Sequence, residues 1–265
     1  MILNTGQYTG EVIQRVYDNG TIVSVTSYRK RDFDNQRHCH QNTNISFVLH
    51  GGCELKKKNS RELFPGEIVF NYAGEYHRVK NVAKYSRHIN IEIEPTFFTK
   101  YKLDESYVLT SLDKKLDSKF LMLKILKELH EPDHFSSISI NMMLLELVNH
   151  MPKIKYADPS RWPIWMTAVK DYLHDNWNDK ISLQELAKVA NVHPVTISRY
   201  FSKYFCCSLG EYVRKIKIEK ALALIKRREQ SLTCIAYECG FSDQSHFIRT
   251  FKEFTGFLPF AYKNL

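Results

Sequence analysis

The 265-residue sequence predicts an α+β chain of two domains, strand-rich at the start and all-helical at the end. Three observations predict it. Residues 11–100 hold short β-branched and aromatic runs between Gly, Asn and Pro turns. From about Asp117 the apolar spacing lengthens to three and four residues. Between the halves, "PKIKYADPSRWP" at 152–163 has three prolines and no apolar period, as a linker does.

In chain order, Thr21 to Val25, Ile45 to Leu49, Ile68 to Phe70 and Ile89 to Ile93 read as strands, with turns at Asn19-Gly20, Gly51-Gly52 and Pro65-Gly66. Short strands at regular spacing imply a sandwich or a small barrel. The basic run Lys56 to Lys58 reads as a solvated hairpin tip. Phe120, Leu123, Leu126, Lys127 and His130 share one helical pattern, and Ile140, Met143, Leu144, Leu147 and Val148 mark a second helix within 138–151. Their stripes must be buried against the strands or against a second copy of the chain in a homodimer, and the spacing does not choose. After the linker, Trp165, Val169, Leu173 and Trp177 lie at i, i+4 steps, and helices follow at 182–190, 195–205, 210–226, 232–239 and 243–254. The expected division is a strand domain at 1–116, a covering or dimerising helical segment at 117–151, a linker at 152–163 and a helical domain at 164–265.

The apolar fraction of 43% and charged fraction of 25% are those of a globular chain. No run approaches the roughly 18 to 20 apolar residues of a membrane helix, and the start lacks a signal-peptide pattern, so the expected location is cytoplasmic. Six cysteines are few for this length and sit in core-like stretches, which points to reduced thiols. The net charge of +9 is uneven: residues 161–265 hold 16 Lys/Arg against 10 Asp/Glu, and residues 1–160 hold 22 against 19. A basic end suits a polyanion, and it also suits ordinary solubility.

The helical part repeats itself. "SLQELAKVANVHPVTISRYFSKYF" from Ser182 aligns with "SLTCIAYECGFSDQSHFIRTFKEF" from Ser231: Leu183 matches Leu232, Ala187 matches Ala236 and, after one extra residue in the second turn, Arg199 matches Arg249 and Phe201 matches Phe251. Each copy reads as helix, tight turn, helix. With Ile197 and Phe201 inward, Val195, Arg199, Ser202 and Lys203 face out; with Phe247 and Phe251 inward, Ser245, Arg249 and Lys252 face out. Arg can bridge guanine O6 and N7, and small neighbours let a helix enter a major groove. The helix joining the copies, 210–226, would be about 25 Å long, comparable with one DNA turn.

These residues, above all Ile235-Ala236, Gly240-Phe241, Ser245, Phe247, Arg249, Phe251-Lys252, Gly256, Pro259 and Tyr262, resemble the AraC/XylS bacterial transcription regulators over about residues 165–263. The resemblance implies two helix-turn-helix units joined by a long helix, binding double-stranded DNA and activating transcription through RNA polymerase. Carried over residue by residue, Val195, Ser198 and Arg199 read DNA in the first unit, and Gln244, Ser245 and Arg249 in the second. Lys203 and Lys252 join them, and His246 stands against phosphate where the pattern often has Tyr. Cys206 departs from the glycine that often ends the first recognition helix, and is expected to fit only if its φ stays negative.

In the first half, "HCHQNTNISFVLHG" and "PGEIVFNYAGEYHRVKN" resemble the two cupin motifs: His38, His40, Asn44 and Gly51 at the spacing of one, and Gly66, Gly74, His77 and Asn81 at that of the other. The resemblance implies a cupin-like β-barrel. Asn44 replaces the Glu that metal cupins use, which leaves His38, His40 and His77 as a three-nitrogen set able to hold Zn or Ni. The reading taken is an effector pocket without metal or other cofactor, lined by Arg37, His38, His40, Tyr72 and His77. Its ligand is a small molecule, with a sugar among the candidates.

The sequence therefore predicts an effector-responsive, DNA-binding activator of a metabolic operon. The alternative is a metal-dependent cupin enzyme with an accessory helical domain.

Overall fold

The computed structural model describes residues 1–29, 36–105, 116–148 and 162–265 and divides into two compact units, 1–150 with 264–265, and 151–263. Residues 152–161 of the proline-rich stretch lie outside the described residues. The first unit contains β1 (Ile2–Leu3), β2 (Glu11–Asp18), β3 (Thr21–Tyr28), β4 (Cys39–His40), β5 (Thr43–His50), β6 (Cys53–Lys56), β7 (Ser60–Leu63), β8 (Ile68–Asn71), β9 (Arg78–Lys80) and β10 (Ser86–Ile93). Three helices follow: α1 (Pro95–Tyr101), α2 (Leu116–His130) and α3 (Ser136–Val148).

The main sheet has the order β2-β3-β10-β5-β8. Asn19 and Gly20, at φ 48° and 80°, make the two-residue turn that returns β2 into β3, a backbone that twists with the strands. Register then sorts every side chain. His88 pairs with Thr26 and Val48, Asn90 with Ser24 and Ser46, and Glu92 with Asn44, so these groups share one face. Ile89, Ile91 and Ile93 with Val23, Val25, Ile45 and Phe47 make the other. Both faces are buried, the polar one included. A second sheet, β7-β6-β9, meets the polar face at one end, where Tyr28, Val48 and Val69 pack with Cys53, Leu55 and Leu63.

Among the described residues these sheets do not close into one barrel, so the expectation of a cupin-like barrel is not met. β8 ends at Asn71, where the chain turns (Glu75 N–H to the Tyr72 carbonyl, 3.0 Å), and no ladder joins the second sheet to the first. The helices bury their stripes within their own unit. α2 packs on α3 and against β2, Ser137 and Asn141 of α3 both donate to the Asp18 carboxylate, and Gln14 donates to the Leu129 carbonyl.

The second unit is helical: α4 (Ile164–Asp175), α5 (Leu183–Ala190), α6 (Pro194–Phe205), α7 (Leu209–Arg227), α8 (Leu232–Glu238), α9 (Gln244–Thr255) and α10 (Pro259–Lys263). Ser182 and Glu185 cap α5 reciprocally, and the Ser231 hydroxyl caps α8. The sequence suggests that α7 is a spacer, but it is the core of the unit. Lys215 to Ile218, Ala221, Leu222 and Ile225 are buried, and α6, α8, α9 and α10 all pack on it. No helix among the described residues is long and apolar enough to cross a membrane.

The two repeat copies match in backbone as well as sequence. Asn191 and Gly240 are both left-handed after the first helix, at φ 50° and 68°, and Cys206 and Gly256 are both left-handed after the second, at φ 56° and 79°. Cys206 thus adopts the positive φ that it was expected to avoid, immediately before the buried Cys207. An L-residue pays about 1–2 kcal/mol for this conformation, so Cys206→Gly should raise the stability of the chain by about 1 kcal/mol in urea unfolding. At Gly240 the reverse holds: a Cβ would sit 2.2 Å from the Asn178 carbonyl oxygen. Gly240→Ala should cost more than about 2 kcal/mol, read as a lower Tm.

Candidate functional site

The helical unit presents two polar faces on matched scaffolds. Pro194 opens α6 with the His193 ring accepting from Val195 N–H, and Asp243 opens α9 by accepting from His246 N–H at 2.7 Å. Ile197 and Phe201 on α6, and Phe247 and Phe251 on α9, are buried at equivalent positions. That anchoring leaves Val195, Ser198, Arg199 and Lys203 exposed on α6, and Ser245, Arg249 and Lys252 exposed on α9. Neither Arg199 nor Arg249 has an ion pair among the described residues, so each guanidinium keeps its donors for a partner.

Gln244 and His246 are less free. Both are half-buried; Gln244 Oε1 accepts from the Thr233 hydroxyl at 2.7 Å, and the His246 ring stands edge-on to Phe241. Gln244 therefore braces α8 against α9 and has its amide nitrogen left for contact. Lys217 of α7 reinforces the second unit: its ammonium donates to the Gly240 carbonyl at 2.8 Å, and burial lowers its pKa. Tyr212 and Tyr262 are buried and pack against Phe201 of α6 and Phe251 of α9 respectively. Their matching positions, fifty residues apart, follow the two repeat copies in the sequence and were the signal for this pair.

The other candidate site lies in the first unit. His38 and His77 form a two-way backbone bridge, with N–H to carbonyl distances of 2.9 and 2.8 Å, which places their rings 4.4 Å apart. The His40 ring stacks on His77 at 5.4 Å. Ring nitrogens of the three lie within 4.8 Å of one another. His38 Nδ1 meets the Gln36 carbonyl at 3.0 Å, and His77 Nδ1 meets the Glu75 carbonyl at 3.1 Å. Those acceptors assign the proton to Nδ1 in both rings and leave Nε2 with its lone pair.

The trio opens on a cavity of about 40 Å³ against the polar face of the main sheet, where Asn44, Ser46, Asn71, His88 and Asn90 also line it. Arg37 and Tyr72 do not reach this cavity, contrary to the sequence reading. Arg37 stacks over Tyr76 in an outer basic cleft shared with Lys56, Lys57 and Arg78, and Tyr72 packs edge-on to Phe70. Residues before and after a β-strand histidine need not share its face, so neighbourhood in sequence misled here. Cys39, between His38 and His40 in the sequence, is absent from the lining. Lys57 is engaged at the hairpin, paired with Glu75 at 2.7 Å.

Burial sets the charge of the site. It holds His40 down at about 3, helped by the neighbouring His77 and His38, and holds His77 down at about 4. His88 is held at about 4 by burial alone, with Nε2 3.0 Å from the Ser86 hydroxyl. All are neutral at pH 7.

The comparisons follow this division. Residues 186–264 match the family model described as a helix-turn-helix domain. Over 238 residues the chain is 21% identical to the uncharacterized HTH-type transcriptional regulator YobQ of Bacillus subtilis, covering 89% of this chain and 92% of that one. It is 23% identical to the HTH-type transcriptional activator RhaS of Mannheimia succiniciproducens, covering 81% and 84%. The solved structure of ToxT from Vibrio cholerae aligns over 92% of this chain and 98% of that one, at 16% identity and a TM-score of 0.38, too loose a likeness to argue from. The class defined by the paired helix-turn-helix units is a DNA-binding protein. Within that class, the chain is a helix-turn-helix transcriptional regulator, similar over most of its length to proteins named HTH-type transcriptional regulators.

The depressed histidines carry a pH signature. The unfolded chain binds a proton at each near pH 6.5 and the folded chain does not until about pH 4, so stability is full above pH 6.5 and falls with acidification. His88→Gln should remove about 2 kcal/mol of the stability lost between pH 6.5 and 5, measured by urea unfolding across that range.

Proposed function

We propose that this protein is an effector-responsive activator whose second unit reads two successive major grooves and whose first unit holds the effector in the histidine cavity. The observation that carries the reading is the pair of exposed arginines, Arg199 and Arg249, at equivalent positions on helices anchored by equivalent buried residues. A shared core helix of 19 residues, about 29 Å long, keeps their spacing stiff. Val195, Ser198 and Lys203, with Gln244, Ser245, His246 and Lys252, complete the proposed DNA face.

In the mechanism, effector binding shifts the first unit, organised as residues 1–116 with the helical segment 117–151, and so changes how two copies of residues 164–265 meet two half-sites. Residues 152–163 act as the linker. Motif spacing supports a cupin-like origin for the first unit. Contact with RNA polymerase, a homodimer and a cytoplasmic setting belong to the same reading, as does the absence of catalysis. The matched relatives are regulators, and nothing favours the cupin-enzyme alternative.

The test is retention of fragmented genomic DNA followed by sequencing, where one enriched motif of about 20 bp is expected. Against that motif, Arg199→Ala or Arg249→Ala should each cost about 1–3 kcal/mol and relax preference at one half of the site. Uniform weakening on all sequences would assign the arginine to phosphate, and no enrichment even at low salt would defeat the reading.

A further inference from the structure

Buried polar atoms left without partners around one cavity indicate the chemistry of the guest it suits. Among the described residues, buried atoms without a hydrogen-bond partner include His40 Nδ1, Asn44 Nδ2 and Asn71 Oδ1, and all three residues line this one cavity. His40 is 7% exposed, Asn44 1% and Asn71 3%. Leaving such groups unpaired is expensive, so the site is built for a polar guest.

Size then limits the guest. At about 40 Å³ the cavity has room for about three waters, each needing at least ~10–15 Å³, whereas pockets for organic ligands run from about 300 Å³ upward. A whole sugar exceeds this space, and a small polar guest suits it. What fits is an ion with a few small ligands of its own.

We infer that His38, His40 and His77 bind one divalent transition ion of the zinc, nickel and cobalt class, and that this ion is the effector. The inference rests on the regulator reading only for the word effector. Two rings already carry the backbone acceptor on Nδ1 that orients a metal-ligating imidazole and leaves Nε2 free. Their spread of up to 4.8 Å must contract to about 3.4 Å around a tetrahedral ion, a movement within reach of ring rotations. Three neutral nitrogens and no carboxylate select borderline ions over magnesium, calcium or manganese. The cavity beyond the trio receives the ion's open coordination position, with Asn44 and Asn71 placed to hydrogen-bond a bound water or hydroxide.

The experiment uses the untagged full chain, stripped with chelator and titrated with cobalt chloride in the absence of DNA. One cobalt per chain is expected, with the visible absorption of a four- or five-coordinate ion, displaced by zinc. His40→Gln and His77→Gln should each weaken binding at least about tenfold, while the exposed His134→Gln should not change it. Because a histidine variant can fail to fold, X-ray absorption on the zinc-loaded unaltered chain counts imidazoles directly. Three support the site; fewer than three, substoichiometric cobalt, or equal binding by both folded variants overturns it.

The effector role is read separately on the enriched DNA motif. Zinc should change its occupancy by more than about tenfold, and an unchanged occupancy with the ion bound overturns the role. A chain that enriches no motif defeats the regulator reading instead, and the cobalt result stands apart from it.

Discussion

Strand β10 is the constraint around which the first unit is organised. Its sequence alternates His88, Asn90 and Glu92 with Ile89, Ile91 and Ile93, and it is hydrogen-bonded on both edges, to β3 and β5. An isoleucine face this complete has to be covered, and its neighbours extend it with valines and phenylalanine. The opposite face would ordinarily be left to water. Here it is covered as well, by the small second sheet at one end and by the histidine-bearing segments at the other. Everything distinctive about the cavity follows from closing a polar surface inside a protein. Its groups pair with each other where they can, as Asn90 does with Thr26 and His88 with Ser86. Glu92 accepts from Gly6 N–H and from Asn42, which ties the N-terminal segment across the end of the sheet.

The helical unit solves a different problem with few parts. Two copies of a small motif cannot each bury enough apolar surface alone, and α7 supplies the shared interior. This explains why α7 is buried nearly all round and why two of its lysines, Lys215 and Lys217, are among the buried charges, one paired with Glu211 and the other capping the Gly240 turn. Rigidity of spacing between α6 and α9 is thus a by-product of core formation. The left-handed residues after each helix, Asn191 and Gly240, then Cys206 and Gly256, stop and redirect the chain at the same two places in each copy.

The helix-turn-helix pair was legible from the sequence because its determinants are local. Buried apolar residues four apart, capping serines and an arginine on the opposite face sit within one or two turns of each other. The same holds for the hairpin turn at Asn19-Gly20, which two adjacent residues specify. The histidine cavity was only half legible. His38, His40 and His77 stand out by spacing, whereas Asn44, Ser46, Asn71, His88 and Asn90 are ordinary polar positions on alternating strands, and Arg37 and Tyr72, chosen from the sequence, do not line the cavity.

The sequence by itself determined the two-part layout, the repeat, the outward arginines and the candidate trio, all from periods and spacings that a short peptide already carries. The tertiary structure alone decided that both faces of the main sheet are buried, that the sheets stay open as separate ladders, and that the three histidines meet at one small cavity. The physical reason is that alternation fixes which residues share a face, while the fate of a face depends on what long-range pairing brings against it. A polar stripe reads the same whether it meets water or another sheet.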